Sequence, residues 1–175
     1  DDGSGASSIA RGDNNPTLPL INSRYSICYE GIGRTNTFLA NIDLVPMDEE
    51  LKKRYKAEAR FLRAFYYHNL IEYYGGVPLI LDPPNNNDQG QLPRNTKAEI
   101  LEVIYSDLDA AAVDLPTSYT STDKGRVTKG AALAFKARTA LYNENWDEAL
   151  SSGQAVIDLN VYDLFPDYRG LFLLE

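Results

Sequence analysis

The 175-residue chain is 43% hydrophobic and 24% charged, the make-up of an ordinary globular domain with enough length to close one sizeable core. A formal net charge of -8 argues against nucleic acid and anionic membrane surfaces as partners, because both need clustered Lys and Arg, whereas a neutral ligand is compatible. The single cysteine, Cys28, allows no internal disulfide, and with one histidine no zinc site can be assembled. No stretch has the apolar length of a membrane-spanning helix, and Asp1 to Gly5 lack the pattern of a signal peptide. The apolar run Leu171 to Glu175 ends without a polar tail, so the chain is expected to be a fragment of a longer protein.

Residues 1–22 are rich in Gly, Ser, Asp, Asn and Pro without apolar periodicity and read as an irregular loop segment. Helical patterning fills 23–175. Ser23 is a candidate N-cap for a first helix whose stripe is Tyr25, Tyr29, Ile32, Asn36 and Leu39, ended by Pro46. Asp48 caps a long second helix with the stripe Leu51, Tyr55, Ala59, Leu62, Tyr66, Leu70 and Tyr73, widened by Phe61 and Phe65 and stopped by Gly75-Gly76 and Pro78. Asp82 to Gln91 is a loop. Thr96 and Glu99 have capping-box spacing and open a third helix, with Leu101, Ile104, Leu108, Ala111 and Leu115 as its stripe and Pro116 at its end. Thr128 caps a fourth, carrying Leu133, Ala137, Ala140 and Leu141, and a fifth runs from Asn145 to about Leu159. The only candidate strand is Val77 to Leu81, so the class is all-α, a helix-pair solenoid or a bundle.

Ala137, Ala140 and the run Trp146-Asp147-Glu148-Ala149 sit where a tetratricopeptide repeat wants small residues and an aromatic-acidic opening, although Gly153 stands where a larger aromatic is usual. The segment Ala57 to Leu81, AEARFLRAFYYHNLIEYYGGVPLIL, resembles the signature of the SusD/RagB family. Tyr29, Ile32, Asn36 and Leu39 before it, Arg126-Val127-Thr128 after it and Tyr162-Asp163-Leu164-Phe165 near the end are similar to that family in the same order. The resemblance implies a tetratricopeptide-like superhelix from the N-terminal part of a SusD-like domain. It further implies a surface-exposed outer-membrane lipoprotein of Bacteroidetes that captures a glycan, or in some members a peptide, and hands it to a SusC-like TonB-dependent transporter. Contact with the membrane would run only through a lipid anchor absent from this chain.

Candidate ligand contacts follow. Arg11, Asp13, Asn14, Asn15 and Arg24 offer donors and acceptors for sugar hydroxyls near the start of the first helix, where the resemblance places ligand contacts. Tyr25 either stacks on a sugar face or simply starts the core stripe; packing is its plainer role, and the upstream loop is the stronger candidate. Trp146 is read as a packing residue rather than a sugar platform, His68 as a lone histidine and not a metal ligand, and Cys28 as an inert, half-buried thiol. The tyrosines 66, 67, 73 and 74 are read as core, and Asp107, Asp109 and Asp114 as a solvated helix face.

No catalytic residue is nominated. The acids lie in helix first turns, on charged faces or in loops rather than paired across a cleft, and one histidine supports no Ser-His-Asp set. No glycine-rich phosphate loop is present, and no cofactor is expected. The competing reading is a tetratricopeptide scaffold that binds a peptide or partner protein in its groove.

Overall fold

The protein is described from a computed structural model, which places residues 10–12, 18–85, 88–120 and 122–172. Among them are five α-helices and no strand: α1 Pro19–Asn41, α2 Glu49–Tyr74, α3 Lys97–Asp114, α4 Lys129–Tyr142 and α5 Trp146–Asp158. Each helix packs on the next in sequence, and α2 reaches α4 as well through Phe61 and Phe65 against Phe135.

Local chemistry explains most helix ends. The Asp48, Thr128 and Asn145 side chains accept from the backbone N–H groups of Leu51, Ala131 and Glu148, and Thr96 with Glu99 forms the complete capping box. The first helix starts four residues earlier than Ser23, because Pro19 at its first turn has the φ a helix needs and no N–H to leave unpaired. Ser23 therefore lies inside the helix, its hydroxyl donating back to the Leu20 carbonyl.

The main core is built from Cys28 and Ile32 of α1, Ala64, Tyr67, Leu70 and Ile71 of α2, Val77, and Ile100, Ile104 and Leu108 of α3. A second cluster joins Ala57 to Ala111, Ala112, Leu115 and Ala132. The face of α2 that is buried is thus rotated from the expected stripe: Leu62, Phe65 and Tyr73 are exposed, while Tyr67, His68 and Ile71 lie inside. On α4 the buried positions are Gly130, Ala132, Lys136, Thr139 and Ala140, with Leu141 exposed. Burying large rings on one side of α2 leaves its other aromatic row at the surface.

Three residues depart from their expected roles. Asp107 is not solvated; it is buried, and both its oxygens accept from Arg63. Trp146, the first residue of α5, is 61% exposed rather than packed. Cys28 is fully buried, and burial raises its thiol pKa, which keeps it protonated. His68 is buried against Phe135, its Nδ1 3.1 Å from the Thr139 hydroxyl.

Lys136 fastens the C-terminal hairpin. Its ammonium donates to Asp109 of α3 and Glu148 of α5 at 2.7 and 2.8 Å. Burial opposes its charge, but those two hydrogen bonds outweigh it and its pKa is raised.

Candidate functional site

The turn after α2 is held by side chains rather than by a sheet. Gly75 has φ of 67°, and a Cβ on Gly76 would lie 2.2 Å from the Asn95 carbonyl oxygen, so each glycine of the Gly-Gly pair has its own physical reason. From there residues 77–81 have no regular secondary structure. The Tyr29 hydroxyl donates to the Pro78 carbonyl at 2.7 Å, and Asn95 receives the Leu79 N–H on its side chain while giving its own N–H to Val77. The Tyr67 hydroxyl accepts from the Ile80 N–H and donates to the Ile80 carbonyl, at 2.7 and 2.8 Å. The Asn36 amide donates to the carbonyls of Ile80 and Asp82. Burial pushes the Tyr67 phenol up to about 12, so it stays protonated and able to play both parts. Val77 to Leu81 thus forms no strand, and none is found among the described residues.

This strap runs along the α1–α2 pair from Tyr29 to Asn36, and the sequence-derived candidates Arg24 and Tyr25 lie beyond it, beside Tyr73 and Tyr74 at the C-terminal end of α2. Tyr25 is half-buried, 4.8 Å from the Tyr29 ring and edge-on to Tyr74 at 5.2 Å. These contacts pack part of the ring, and the rest of it remains accessible. Arg24 is exposed, and its guanidinium stacks over Tyr73 at 4.8 Å from the ring centroid. Tyr73 is 62% exposed and was missed by sequence reasoning, which put all four signature tyrosines in the core. Tyr74 beside it donates to the Ile21 carbonyl; burial raises its phenol pKa while the nearby Arg24 charge pulls the other way. The Arg94 guanidinium donates to the carbonyls of Tyr74 and Gly76, placing a cation at the negative end of α2.

The alternation of Tyr73 and Tyr74 about a helix edge was the signal available: adjacent helical positions are about 100° apart, so only one of two neighbouring rings can face the core. Arg11 lies on an exposed turn before α1, and Asp13, Asn14 and Asn15 lie outside the described residues. The structure thus brings Arg24, Tyr73 and the packed pair Tyr25–Tyr74 to one end of the α1–α2 hairpin.

Tyr73 is thus a largely exposed aromatic ring with a guanidinium over it, the combination of an apolar plane and a hydrogen-bond donor that a pyranose can meet. Among the described residues no group of His, Cys, Asp and Glu could hold a metal ion, and no helix is long and apolar enough to cross a membrane.

Similar proteins agree on this architecture. A profile of the SusD-like family described as "Starch-binding associating with outer membrane" matches residues 7–141. SusD-like protein P25 of Formosa agariphila is 28% identical over 153 residues, covering 87% of this chain and 29% of that protein. A solved laminarin-binding SusD-like protein is 31% identical with a TM-score of 0.87, over 97% of this chain and 38% of that one. A SusD-like carbohydrate-binding protein from Bacteroides fragilis is 30% identical with a TM-score of 0.83, over 90% and 31% of the two chains. The chain therefore spans roughly a third of the length of the relatives it matches. The profile match alone runs through α1, α2, α3 and most of α4, and on that ground the chain belongs to the SusD-like family.

Proposed function

We propose that this chain is the helical, tetratricopeptide-like portion of a protein that binds a glycan at the cell surface without catalysis and delivers it to a TonB-dependent outer-membrane transporter. The observation that carries the reading is the family match over most of the chain, together with a laminarin-binding relative of the same fold. The helices from Pro19 onward act as the scaffold. Arg11, Asp13, Asn14, Asn15, Arg24 and Tyr25 lie in or beside the start of α1 in sequence, and the exposed Arg24–Tyr73 stack adds a more open flat surface than half-buried Tyr25 provides. Anchoring is through a lipid, in keeping with the outer-membrane association that the family description names.

Neutral sugars form no ion pairs, so binding by stacking and hydroxyl contacts should be insensitive to salt. Calorimetric titration of the protein as its gene encodes it, against laminarin and amylopectin at about 0.05 and 0.5 M salt, tests this. Equal affinities at both salts support the reading. A loss of binding at high salt, or no binding of either glucan, refutes it.

A further inference from the structure

Arg94 spends its hydrogen bonds on backbone carbonyls at the end of α2, in the turn that carries Tyr73. The last carbonyls of an α-helix have no partner inside the helix, and an end left that way frays. Here the Ile71 carbonyl takes the Gly75 N–H, and the Tyr74 carbonyl is taken by the Arg94 guanidinium. A second nitrogen of that guanidinium donates to the Gly76 carbonyl, so the planar group bridges the bend at Gly75, where φ is 67°. Asn95 continues the seam, giving its N–H to the Val77 carbonyl and accepting the Leu79 N–H on its side chain. Two consecutive residues thus brace the chain from Tyr74 to Leu79.

That brace bears on the stack through Tyr74. The Tyr74 hydroxyl donates across to the Ile21 carbonyl at 2.6 Å, within one helical turn of Arg24, and the Arg24 guanidinium lies 4.8 Å from the Tyr73 ring centroid. Ring and cation therefore come from two helix ends, the last turn of α2 and the first turns of α1. An exposed cation–ring contact is too weak to keep two such ends in register unaided. Arg94 is itself exposed and its acceptors are neutral carbonyls, so removing it strands no buried charge and lets water replace the lost donors. Its loss should disorder the end of α2 more than it weakens the fold.

From this we infer that Arg94 is a positioning residue of the ligand site: by fixing the last turn of α2 it holds the Tyr73 ring, with Arg24 over it, ready for a sugar. The ligand then need not order these side chains as it binds. The inference rests on the glycan-binding reading above.

The test is a double-mutant cycle on the protein as its gene encodes it: wild type, Arg94→Met, Tyr73→Ala and the two changes together. Each is titrated calorimetrically with laminarin and amylopectin and melted thermally. Arg94→Met should weaken the glucan that wild type binds about threefold or more, yet change affinity by less than about 1.5-fold in the Tyr73→Ala background, where no ring is left to position. A merely structural role would lower the melt without that dependence on Tyr73. Arg94→Lys keeps the charge but not the fork that spans two carbonyls, and it should show the same dependence with a smaller loss, even where Arg94→Met fails to fold. Equal losses in both backgrounds, or wild-type affinity in the Arg94 variants, overturn the inference and leave the glycan reading standing. Failure of both Arg94 variants to fold also overturns it, since the residue would then hold the fold and not the stack. If Tyr73→Ala binds as wild type does, the Arg24–Tyr73 site falls and this inference with it. If wild type binds neither glucan, the glycan reading itself falls.

Discussion

Arg63 on α2 and Asp107 on α3 form a buried two-point ion pair, Nε to Oδ2 at 2.7 Å and Nη2 to Oδ1 at 2.8 Å. The third face of the same guanidinium donates to the Asn36 Oδ1 at 3.0 Å, and the Asn36 amide in turn holds the carbonyls of Ile80 and Asp82. One cation therefore ties α1, α2, α3 and the strap together, with each of its three nitrogens donating to an acceptor. A pair this enclosed adds little over an apolar isostere, but it is costly to break from one side.

Asp107→Ala should accordingly lower unfolding stability by about 3–5 kcal/mol, because it strands the Arg63 charge among the core residues. The double change Arg63→Met with Asp107→Leu should cost clearly less. Urea denaturation of the two variants checks the order; equal losses would mean that the pair itself, and not the orphaned charge, carries the effect.

Tyr67→Phe removes the hydroxyl that serves both backbone groups of Ile80 and should cost about 1–3 kcal/mol, since it strips the Ile80 N–H of its acceptor and leaves the carbonyl with the Asn36 amide alone. Hydrogen exchange at the Ile80 amide is the direct readout. Its protection should fall while that of the α3 core amides falls only with global stability.

Two glycines should respond in opposite directions. Gly76→Ala drives a Cβ to 2.2 Å from a backbone oxygen of Asn95, which no rotamer relieves, and should destabilise by about 1–3 kcal/mol or more. Gly153→Ala, inside α5 with nothing within 4 Å of the new Cβ, should stabilise by about 0.5–1 kcal/mol by removing a flexible residue from a helix. Thermal melts of both variants decide the matter.

The helices and their caps were legible because caps and periodicity are local: Asp48, Thr96 with Glu99, Thr128 and Asn145 all cap where their spacing predicts. What escaped was rotation and pairing. The apolar stripe of α2 is nearly continuous around the helix, so hydrophobicity could not tell that Tyr67 and Ile71 face in while Leu62 and Tyr73 face out. Asp107 looked solvated because its partner is 44 residues away, on another helix. The exposed stack of Arg24 on Tyr73 depends on two helices meeting at one end, a relation that spacing within either helix does not encode.

His68 should make stability sensitive to mild acid. Burial lowers its pKa below the ordinary 6.5, and the charges of Arg138 and Lys97 act in the same sense, with Glu72 opposing. The folded form thus holds a neutral imidazole while the unfolded chain takes up a proton near pH 6.5. The contribution is whole above pH 6.5 and is lost as pH falls from there toward the lower folded value. Denaturation midpoints of wild type should decline over that window more steeply than those of His68→Gln, and parallel slopes would show that other groups govern the acid limb.

The central claim, that a glycan is captured at the Arg24–Tyr73 end of the helical scaffold, is tested most directly by titrating laminarin and amylopectin into wild type and Tyr73→Ala. Both are to be made as the full product of the gene. The account predicts that wild type binds at least one of these glucans and that Tyr73→Ala weakens it about three- to tenfold, the worth of one stacked ring, without lowering the melt. Binding that is unchanged in Tyr73→Ala, or no retention of either glucan by wild type, would contradict it.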